Sequence, residues 1–242
     1  MPVNSFSIAL LRREEVAAGT SAFHFEKPQG FEFRAGQFAE LSLIDSPETD
    51  AEGNTRQFSL ASAPEERELM FTTRMRDSAF KRALGRAPEG TQVKLEGPFG
   101  DFVLPRDSSR PLVFLVGGIG ITPFRSMVLH AARARLPHRI FLFYSNRQPE
   151  DAPFLGELKM LESQNPNYRM IPTMTNAEPS PVLWSGERGY ITAEMVVRHT
   201  GTLIGPRYYS AGPQGMVAAM RKMLNGAGVD DDDIRTEEFS GY

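Results

Sequence analysis

Cysteine is absent from the 242 residues of this chain, and its absence excludes several kinds of site at once. Without a thiol there is no disulfide, no thiolate zinc site, no cysteine nucleophile and no cysteine-ligated iron–sulfur cluster. Histidine is scarce, at four residues, so no metal site is predicted. Excess positive charge is also lacking, because the formal net charge is −3 and the pI is about 5.9. That balance argues against a nucleic-acid partner.

Long hydrophobic runs are missing too. The most apolar stretch, residues 112–124, is too short to span a bilayer and is interrupted by three glycines and a proline. Residues 1–5 lack the basic and then apolar pattern of a signal peptide. We therefore expect a cytoplasmic protein with no membrane span.

Apolar and polar residues alternate in the first part of the chain, at 39–43, 69–75 and 93–95. A period of two is typical of strands with one face in a core and the other in water. Glycine and proline punctuate the segments between these strands. The pattern predicts an antiparallel barrel or sandwich.

The pattern changes after residues 105–111, a polar segment bounded by prolines that we interpret as a linker. Residues 112–116 and 140–144 are continuous apolar runs, as expected for strands buried on both faces of a parallel sheet. Between them, Thr122 followed by Pro123 predicts a helix start, with the helix running to about Arg135. Strands that alternate with helices predict an open α/β sheet.

The end of the chain continues this pattern. Met216, Met220 and Met223 recur at helical spacing, which we interpret as core filling rather than a cofactor surface. A final strand is predicted at residues 234–239.

Two glycine-rich turns follow predicted strands of this sheet. In residues 116–123 the strand leads into Gly117, Gly118 and Gly120 and then into a helix, whose N-terminus offers N–H donors to a pyrophosphate. The third glycine of the usual dinucleotide fingerprint is replaced by Pro123. The second turn, residues 211–213, also opens a helix, and two such turns can face each other across a crevice. The alternative is a pair of tight turns that bind nothing.

Residues 56–62 combine the chemical groups that a flavin needs. Arg56 offers charge for a pyrophosphate, Phe58 an aromatic ring and Ser59 a hydroxyl. On a strand, Arg56 and Phe58 share one face and Ser59 points to the other, unless a bulge re-aims it. Taken alone, the segment is also compatible with an ordinary strand.

Five motifs, in this order and spacing, resemble the ferredoxin–NADP reductase superfamily over essentially the whole chain. They are Gly36-Gln37-Phe38, the Arg-x-aromatic-Ser-x-x-Ser segment 56–62, Gly97-Pro98-Phe99-Gly100, the Gly-Gly-x-Gly-x-Thr-Pro segment 117–123, and Ala211-Gly212-Pro213-x-x-Met216. The resemblance implies an antiparallel Greek-key β-barrel that binds FAD (residues 1–106), followed by an open parallel α/β sheet that binds NAD(P) (residues 107–242). It further implies transfer of hydride from NADH or NADPH to FAD.

The resemblance also assigns roles to individual residues. Arg56 would contact the FAD pyrophosphate, and Phe58 and Ser59 would line the isoalloxazine. The other flavin contacts it implies are Phe71, Thr72, Thr73 and Arg74 beneath the ring, and Ser78, Ala79 and Phe80 at a phosphate. The nicotinamide nucleotide contacts it implies are Gly117, Gly118, Gly120, Thr122, Gly212, Pro213 and Met216.

Three residues are expected at the junction where hydride moves. Ser59 and Thr122 supply polar groups there, and Phe239, in the tail 237–242, covers the flavin face where the nicotinamide docks. The alternative role of Phe239 is a core residue of the last strand. No general base is needed to reduce a flavin, so none is assigned.

The chain departs from the family pattern at three positions. Phe58 stands where a tyrosine is common, which removes a hydroxyl contact to the flavin ribityl chain. Ala211 stands where many members have cysteine, leaving a roomier and less polar pocket. Asp77 replaces a common glycine, so we expect a differently shaped phosphate loop.

The sequence constrains the identity of the nucleotide that donates electrons, and of the protein that accepts them, less tightly. Ser145 and Arg147 follow the second parallel strand and suit the 2′-phosphate of NADPH. Residues 173–176, however, lack the Ser-Arg pair of NADP-selective relatives, and the balance favours NADH. Arg147 as a solvent-exposed loop residue is the alternative.

The absence of cysteine indicates a separate electron-acceptor protein, such as a ferredoxin. Residues 74–86 hold five basic residues (Arg74, Arg76, Lys81, Arg82 and Arg86) and one acid, Asp77, a surface that suits an acidic carrier. The alternative is that some of these residues hold FAD phosphates and the others are solvated. Two other functions stay open. One is an NAD(P)H:free flavin reductase. The other is a non-catalytic redox-sensing module, which is compatible with Ala211 in place of the common cysteine.

Overall fold

The computed structural model describes residues 4–46, 48–176 and 184–239. The strands are Ser5–Ala17 (β1), Thr20–Glu26 (β2), Phe38–Leu43 (β3), Thr55–Ser59 (β4), Glu68–Arg74 (β5), Gln92–Phe99 (β6), Leu112–Gly117 (β7), Ile140–Asn146 (β8), Tyr168–Met174 (β9), Glu187–Arg188 (β10), Arg207–Pro213 (β11) and Ile234–Phe239 (β12). The helices are Ala79–Arg86 (α1), Ile121–Arg133 (α2), Leu155–Met160 (α3), Ala193–Thr200 (α4) and Gln214–Gly226 (α5). Over these ranges no helix has the length and apolar character needed to cross a membrane.

The first sheet is antiparallel, in the order β4-β3-β6-β1-β2-β5. Its inward-facing side chains, among them Phe23, Phe25 and Leu41, form one apolar core. The Ala61 N–H, just beyond β4, donates to Met70 O of β5 at 2.9 Å, but no ladder pairs β4 with β5 in the described residues. The predicted antiparallel architecture is confirmed as a barrel-like sheet that stays open between its two edge strands.

The second sheet is parallel throughout, in the order β10-β9-β8-β7-β11-β12. All six residues of β7 are buried, which explains its continuous apolar sequence. After β7 the chain adds β8, β9 and β10 on one side and then returns to add β11 and β12 on the other. The strand order therefore reverses between β7 and β11, where open α/β sheets bind ligands beyond the strand ends. The predicted open parallel α/β sheet is confirmed.

Helix α2 begins two residues earlier than its sequence suggests, at Ile121 instead of Pro123. The turn Gly118–Gly120 is a 3₁₀ turn that leads directly into Ile121, so Gly120, not Thr122, precedes the helix. The Thr122 hydroxyl donates to Ile119 O at 3.2 Å inside the first turn. The prediction of Thr122 as the cap was wrong, because the 3₁₀ turn already satisfies the helix start.

The segment between the sheets is held by contacts with the second sheet. Phe102 packs edge-on against Phe124 and Tyr209, with ring centroids 5.6 and 5.2 Å apart. Arg110 donates to both carboxylate oxygens of Asp233, at 2.7 and 2.5 Å. Residues 105–111 are therefore anchored at several points, and the domain boundary at 106/107 stays a prediction.

Candidate nucleotide and flavin site

A cavity of about 910 Å³ opens where the strand order of the parallel sheet reverses. Gly117 and Gly118 form one wall, Pro213 and Met216 form another, and Arg74 reaches it from β5 of the antiparallel sheet. The other lining residues are Arg76, Ser145, Asn146, Arg147, Thr175, Tyr190, Ile191, Thr192, Ala193, Glu194, Gly215, Ala219, Met220 and Met223. One cavity thus joins both sheets.

The glycine turn after β7 packs against the end of β11. The prediction of a second turn at residues 211–213 was wrong, because these residues belong to β11 and pair with β12. A Cβ at Gly120 would stand 2.5 Å from Ala211 O, and a Cβ at Gly212 would stand 3.0 Å from Gly117 O. Gly212 also has a φ of +150°, which side-chain-bearing residues rarely adopt. These two glycines are required by the contact between this turn and β11, before any ligand is considered.

Some of the residues predicted to bind the nucleotide line the cavity and others do not. The six that line it are Gly117, Gly118, Ser145, Arg147, Pro213 and Met216. Gly120 and Gly212 lie at the contact between the first turn and β11, and Thr122 is 2% exposed with its hydroxyl turned to Ile119 O. The structure therefore does not bring the Thr122 hydroxyl to the cavity, because it is used inside α2.

Sequence reasoning missed several residues of the cavity wall. Met220 and Met223 line it together with Met216. The predicted core filling is confirmed, because Met220 belongs to a core cluster of the parallel sheet and Met216 and Met223 pack against it, but the same side chains also border the cavity. Asn146 is 6% exposed, and neither atom of its side-chain amide has a hydrogen-bond partner in the described part of the chain. Its position at the end of β8, beside Ser145 and Arg147, was the signal that could have identified it.

Strand β4 presents a cation and an aromatic ring on one face. The Arg56 guanidinium lies over the Phe80 ring at 5.3 Å, and the Phe58 and Phe80 ring centroids are 5.8 Å apart. The β3–β4 ladder is regular through Ser59, without the bulge that would re-aim its side chain. Ser59 therefore points away from the face of Arg56 and Phe58, contrary to the expectation that it lines the same ring.

Strand β5 runs beside this face. Phe71 is fully buried, with its ring centroid 6.3 Å from that of Phe58. Thr73 is buried, and its hydroxyl donates to Arg74 O at 3.3 Å. The Thr72 hydroxyl and Arg74 Nε are buried and have no hydrogen-bond partner among the described residues. Unpaired buried donors on this strand fit a polar ring edge, so the residues present fit a flavin.

The N-terminus of α1 is an anion-binding position. Ser78 Oγ accepts from the Lys81 N–H at 3.3 Å, and the Ala79 N–H donates to Asp50 Oδ2 at 3.0 Å. Arg56 Nη2 donates to the other oxygen of the same carboxylate at 3.0 Å. Burial, followed by the charges of Arg76 and Arg56, lowers the pKa of Lys81. Arg56, Ser78 and Ala79, all predicted to bind FAD phosphates, therefore lie together, and we call them the phosphate cradle. Within it, Arg56 and the Ala79 N–H hold the Asp50 carboxylate.

The basic residues of 74–86 do not form one free cationic face. Arg74 and Arg76 line the cavity. Arg82 donates to Glu48 Oε2 from Nε and Nη2, at 3.0 and 2.7 Å, and also pairs with Asp77. Arg86 lies 3.9 Å from Glu48. The sequence count missed Glu48 because it lies outside the counted segment.

Phe239 ends the last described strand, opposite Pro213 in the β11–β12 ladder. It is half-buried against the core of the parallel sheet, and residues 240–242 of the predicted tail lie outside the described residues. Nearby, burial and the charge of Asp101 raise the pKa of Glu237 to about 7.

The chain is similar in sequence to known oxidoreductases. A model of the oxidoreductase NAD-binding domain matches residues 114–222. Ferredoxin–NADP reductase B of Sorangium cellulosum is 31% identical over 225 residues, which cover 89% of each protein. One component of the Na⁺-translocating NADH-quinone reductase of Yersinia enterocolitica is 27% identical over 233 residues, 90% of this chain and 56% of that protein. The chain thus spans little more than half of that relative.

A solved structure shows the same fold. The ferredoxin NADP⁺ reductase of Neisseria gonorrhoeae, determined with bound FAD and NADP, superimposes with a TM-score of 0.79 at 22% identity, covering 97% of this chain and 98% of that one. An open antiparallel barrel joined to an NAD-binding parallel sheet defines a class of FAD-containing, NAD(P)H-dependent flavoprotein reductases. The chain belongs to the ferredoxin–NADP reductase superfamily, which is part of that class.

Proposed function

We propose that this protein transfers hydride from NAD(P)H to bound FAD and passes the electrons to a separate protein acceptor, such as a ferredoxin. One observation carries the proposal: Arg74 of the flavin-side strand β5 lines the same cavity as Gly117, Gly118 and Pro213, which are predicted to bind the nucleotide. A donor bound at these residues would therefore meet a ring lying on β5. FAD, when bound, supplies a ring that takes up hydride and releases electrons singly.

The residues of the chain bind and orient the two cofactors. Arg56 and the Ala79 N–H, which hold an anionic carboxylate here, would hold the flavin diphosphate. Phe58 would flank the ring, and the Thr72 hydroxyl and Arg74 Nε would donate to its polar edge. Met216 on the cavity wall would exclude water from the junction, and Phe239 would cover the ring.

We propose NADH as the preferred donor. Glu194 stands in the cavity wall with Arg147 and Thr175. Hydrogen bonds from its own backbone N–H and from Thr192 lower the pKa of Glu194, so it is ionised at neutral pH. Its negative charge opposes a 2′-phosphate. We also propose a cytoplasmic location, because the donor is a cytoplasmic metabolite.

The test is the visible spectrum of the desalted protein before and after anaerobic addition of NADH and then NADPH. We expect a yellow protein that NADH bleaches. Ala219→Trp places a large side chain in the cavity and should slow bleaching at least tenfold while flavin stays bound. Ala218→Trp, the neighbouring exposed position outside the cavity wall, is the matched control. Bound flavin that neither nucleotide reduces would contradict the proposal and favour the redox-sensing module.

A free flavin reductase is the second candidate, and the contacts of Asp50 with Arg56 and Ala79 favour it. A carboxylate at the position predicted for the FAD phosphates lowers the affinity of the protein for FAD. A colourless, folded protein that oxidises NADH only when riboflavin is added would identify this function.

A further inference from the structure

The loop between β3 and β4, described at residues 44–46 and 48–54, carries four acidic residues. One of their side chains lies between the two groups that a diphosphate needs. Asp50 Oδ1 accepts from Arg56 Nη2, and Asp50 Oδ2 accepts from the Ala79 N–H, each at 3.0 Å. One carboxylate thus bridges a guanidinium and a helix N-terminus. The same donors recognise phosphate and carboxylate, because both ligands are anions that accept several hydrogen bonds.

The rest of the loop also contacts Arg56. Its Nη1 donates to the carbonyl oxygens of Glu52, Gly53 and Thr55, at 3.0, 2.8 and 2.9 Å. The Glu52 carboxylate lies 3.0 Å from Nη2, and the side chain of Arg56 is only 16% exposed. A flavin diphosphate that binds Nη1 and Nη2 must therefore replace bonds that the protein already makes.

The carboxylate is well held in this position. Desolvation acts against its charge, but hydrogen bonds from Arg56 and from the backbone N–H groups of Glu52 and Ala79 lower the pKa of Asp50 overall. Glu48, two residues earlier, holds Arg82 of α1 and so ties the same loop to the helix. The loop is thus attached at Arg56, at the start of α1 and in its first turn.

We propose that Asp50 determines which flavin the protein retains, by competing with the flavin diphosphate for Arg56 and the Ala79 N–H. The inference rests on the proposed function, which places a flavin against β4 and β5. Because the competition acts only on phosphate groups, it weakens the binding of FAD and leaves the binding of riboflavin, which has no phosphate, unchanged.

The experiment measures flavin affinity, not turnover. Quenching of flavin fluorescence gives Kd for FAD and for riboflavin with the flavin-free full chain, in the wild type, Asp50→Asn and Asp45→Asn. Asp45 is an exposed carboxylate in the same loop, so its variant has the same change in net charge. We expect Asp50→Asn to lower Kd for FAD at least tenfold and to change Kd for riboflavin less than twofold. Asp45→Asn should change neither more than twofold.

Several outcomes would overturn the inference. An unchanged or higher Kd for FAD in Asp50→Asn would show that Asp50 orients Arg56 instead of competing for it. Equal gains for FAD and riboflavin would place the effect outside the phosphate cradle. Asp50→Ala, checked for folding by circular dichroism, should reproduce the gain. If neither the wild type nor any variant quenches the fluorescence of either flavin, the proposed function is contradicted. If flavin binds but its Kd does not depend on the residue at position 50, only the inference is contradicted.

Discussion

Gly120 and Ala211 approach so closely that a Cβ at position 120 would stand 2.5 Å from Ala211 O and 2.7 Å from Gly212 N. This contact joins the turn after β7 to the last residues of β11. The sequence suggested glycine here so that a pyrophosphate could approach. The structure gives a different reason, which is the approach of one backbone to another.

Gly120→Ala should therefore destabilise the fold and weaken nucleotide binding. Forcing a methyl group against backbone atoms costs about 1–3 kcal/mol. Urea unfolding measures the loss, and titration with NADH measures the affinity. Gly156→Ala is the control, since a Cβ at Gly156 in α3 meets nothing within 4 Å. That variant should be unchanged or more stable by about 0.5–1 kcal/mol. Equal losses in both variants would contradict the close contact.

Arg125 links the two sheets and should be indispensable for stability. Its side chain is 7% exposed, donates to Ala61 O at 2.7 Å and pairs with Glu66 and Glu157, at 3.0 and 2.7 Å. Arg125→Met leaves partly buried carboxylates without this partner and should lower the free energy of unfolding by about 3–5 kcal/mol.

Arg133→Met provides the comparison for this variant. Arg133 reaches the same Glu66 at 3.5 Å, but its side chain is 42% exposed. Its removal should cost about 1 kcal/mol or less. Similar losses in the two variants, measured by urea unfolding, would show that burial of the Arg125 pair does not matter.

Glu237 should make stability fall as pH rises. Burial and Asp101 raise the pKa of its carboxyl from 4.5 to about 7, so the folded state binds the proton more tightly than the unfolded state. Its contribution is full below about pH 4.5 and is lost as pH rises through 7. Glu237→Gln should match the wild type at pH 4.5 and exceed its free energy of unfolding at pH 8 by about 1–3 kcal/mol. A constant difference between the two proteins from pH 4.5 to 8 would refute the shift.

Glu194 should select against NADPH. Replacing it with glutamine removes a negative charge from the cavity wall and should raise kcat/KM for NADPH roughly 3- to 10-fold, with little change for NADH. Steady-state assays with both donors measure the ratio. The gain should shrink at 0.5 M salt, since screening weakens the repulsion. A gain for both donors alike would point to altered cavity shape instead of charge.

Arg86 is the basic residue of α1 that is best placed to meet an acceptor. Its side chain is 78% exposed, and its carboxylate neighbour, Glu48, stands 3.9 Å away. Arg86→Glu should slow the reduction of an acidic ferredoxin several-fold at low salt while bleaching by NADH is unchanged. Lys222→Glu, on α5, is a matched charge reversal. An unchanged rate and salt dependence in Arg86→Glu would exclude docking at this face.

The sequence predicted what depends on local periodicity. The apolar runs of β7 and β8 identified strands buried on both faces, and residues 234–239 identified the last strand. The stripe of Met216, Met220 and Met223 identified a helix that packs on a core, but periodicity could not show that the same side chains also border a cavity. The same limit applies to Ser59, whose face depends on whether a bulge is present.

Contacts between distant segments could not be predicted. Asp50 is 29 positions from Ala79, yet the two are joined by a hydrogen bond. No spacing rule places a loop carboxylate on a particular helix start, since the loop conformation follows from packing. The division of the basic residues of α1 between Glu48 and the cavity has the same origin.

Helix α2 starts at the glycine turn after β7, and within its first two turns it reaches the segment that follows β4. Arg125 donates to Ala61 O, and Ser126 Oγ donates to Ser62 O, both at 2.7 Å. The spacing between the glycine turn and β4 is therefore set by a few residues of helical backbone. In the proposed reductase, hydride would cross a gap of built-in length, with no hinge needed to bring the two cofactors together.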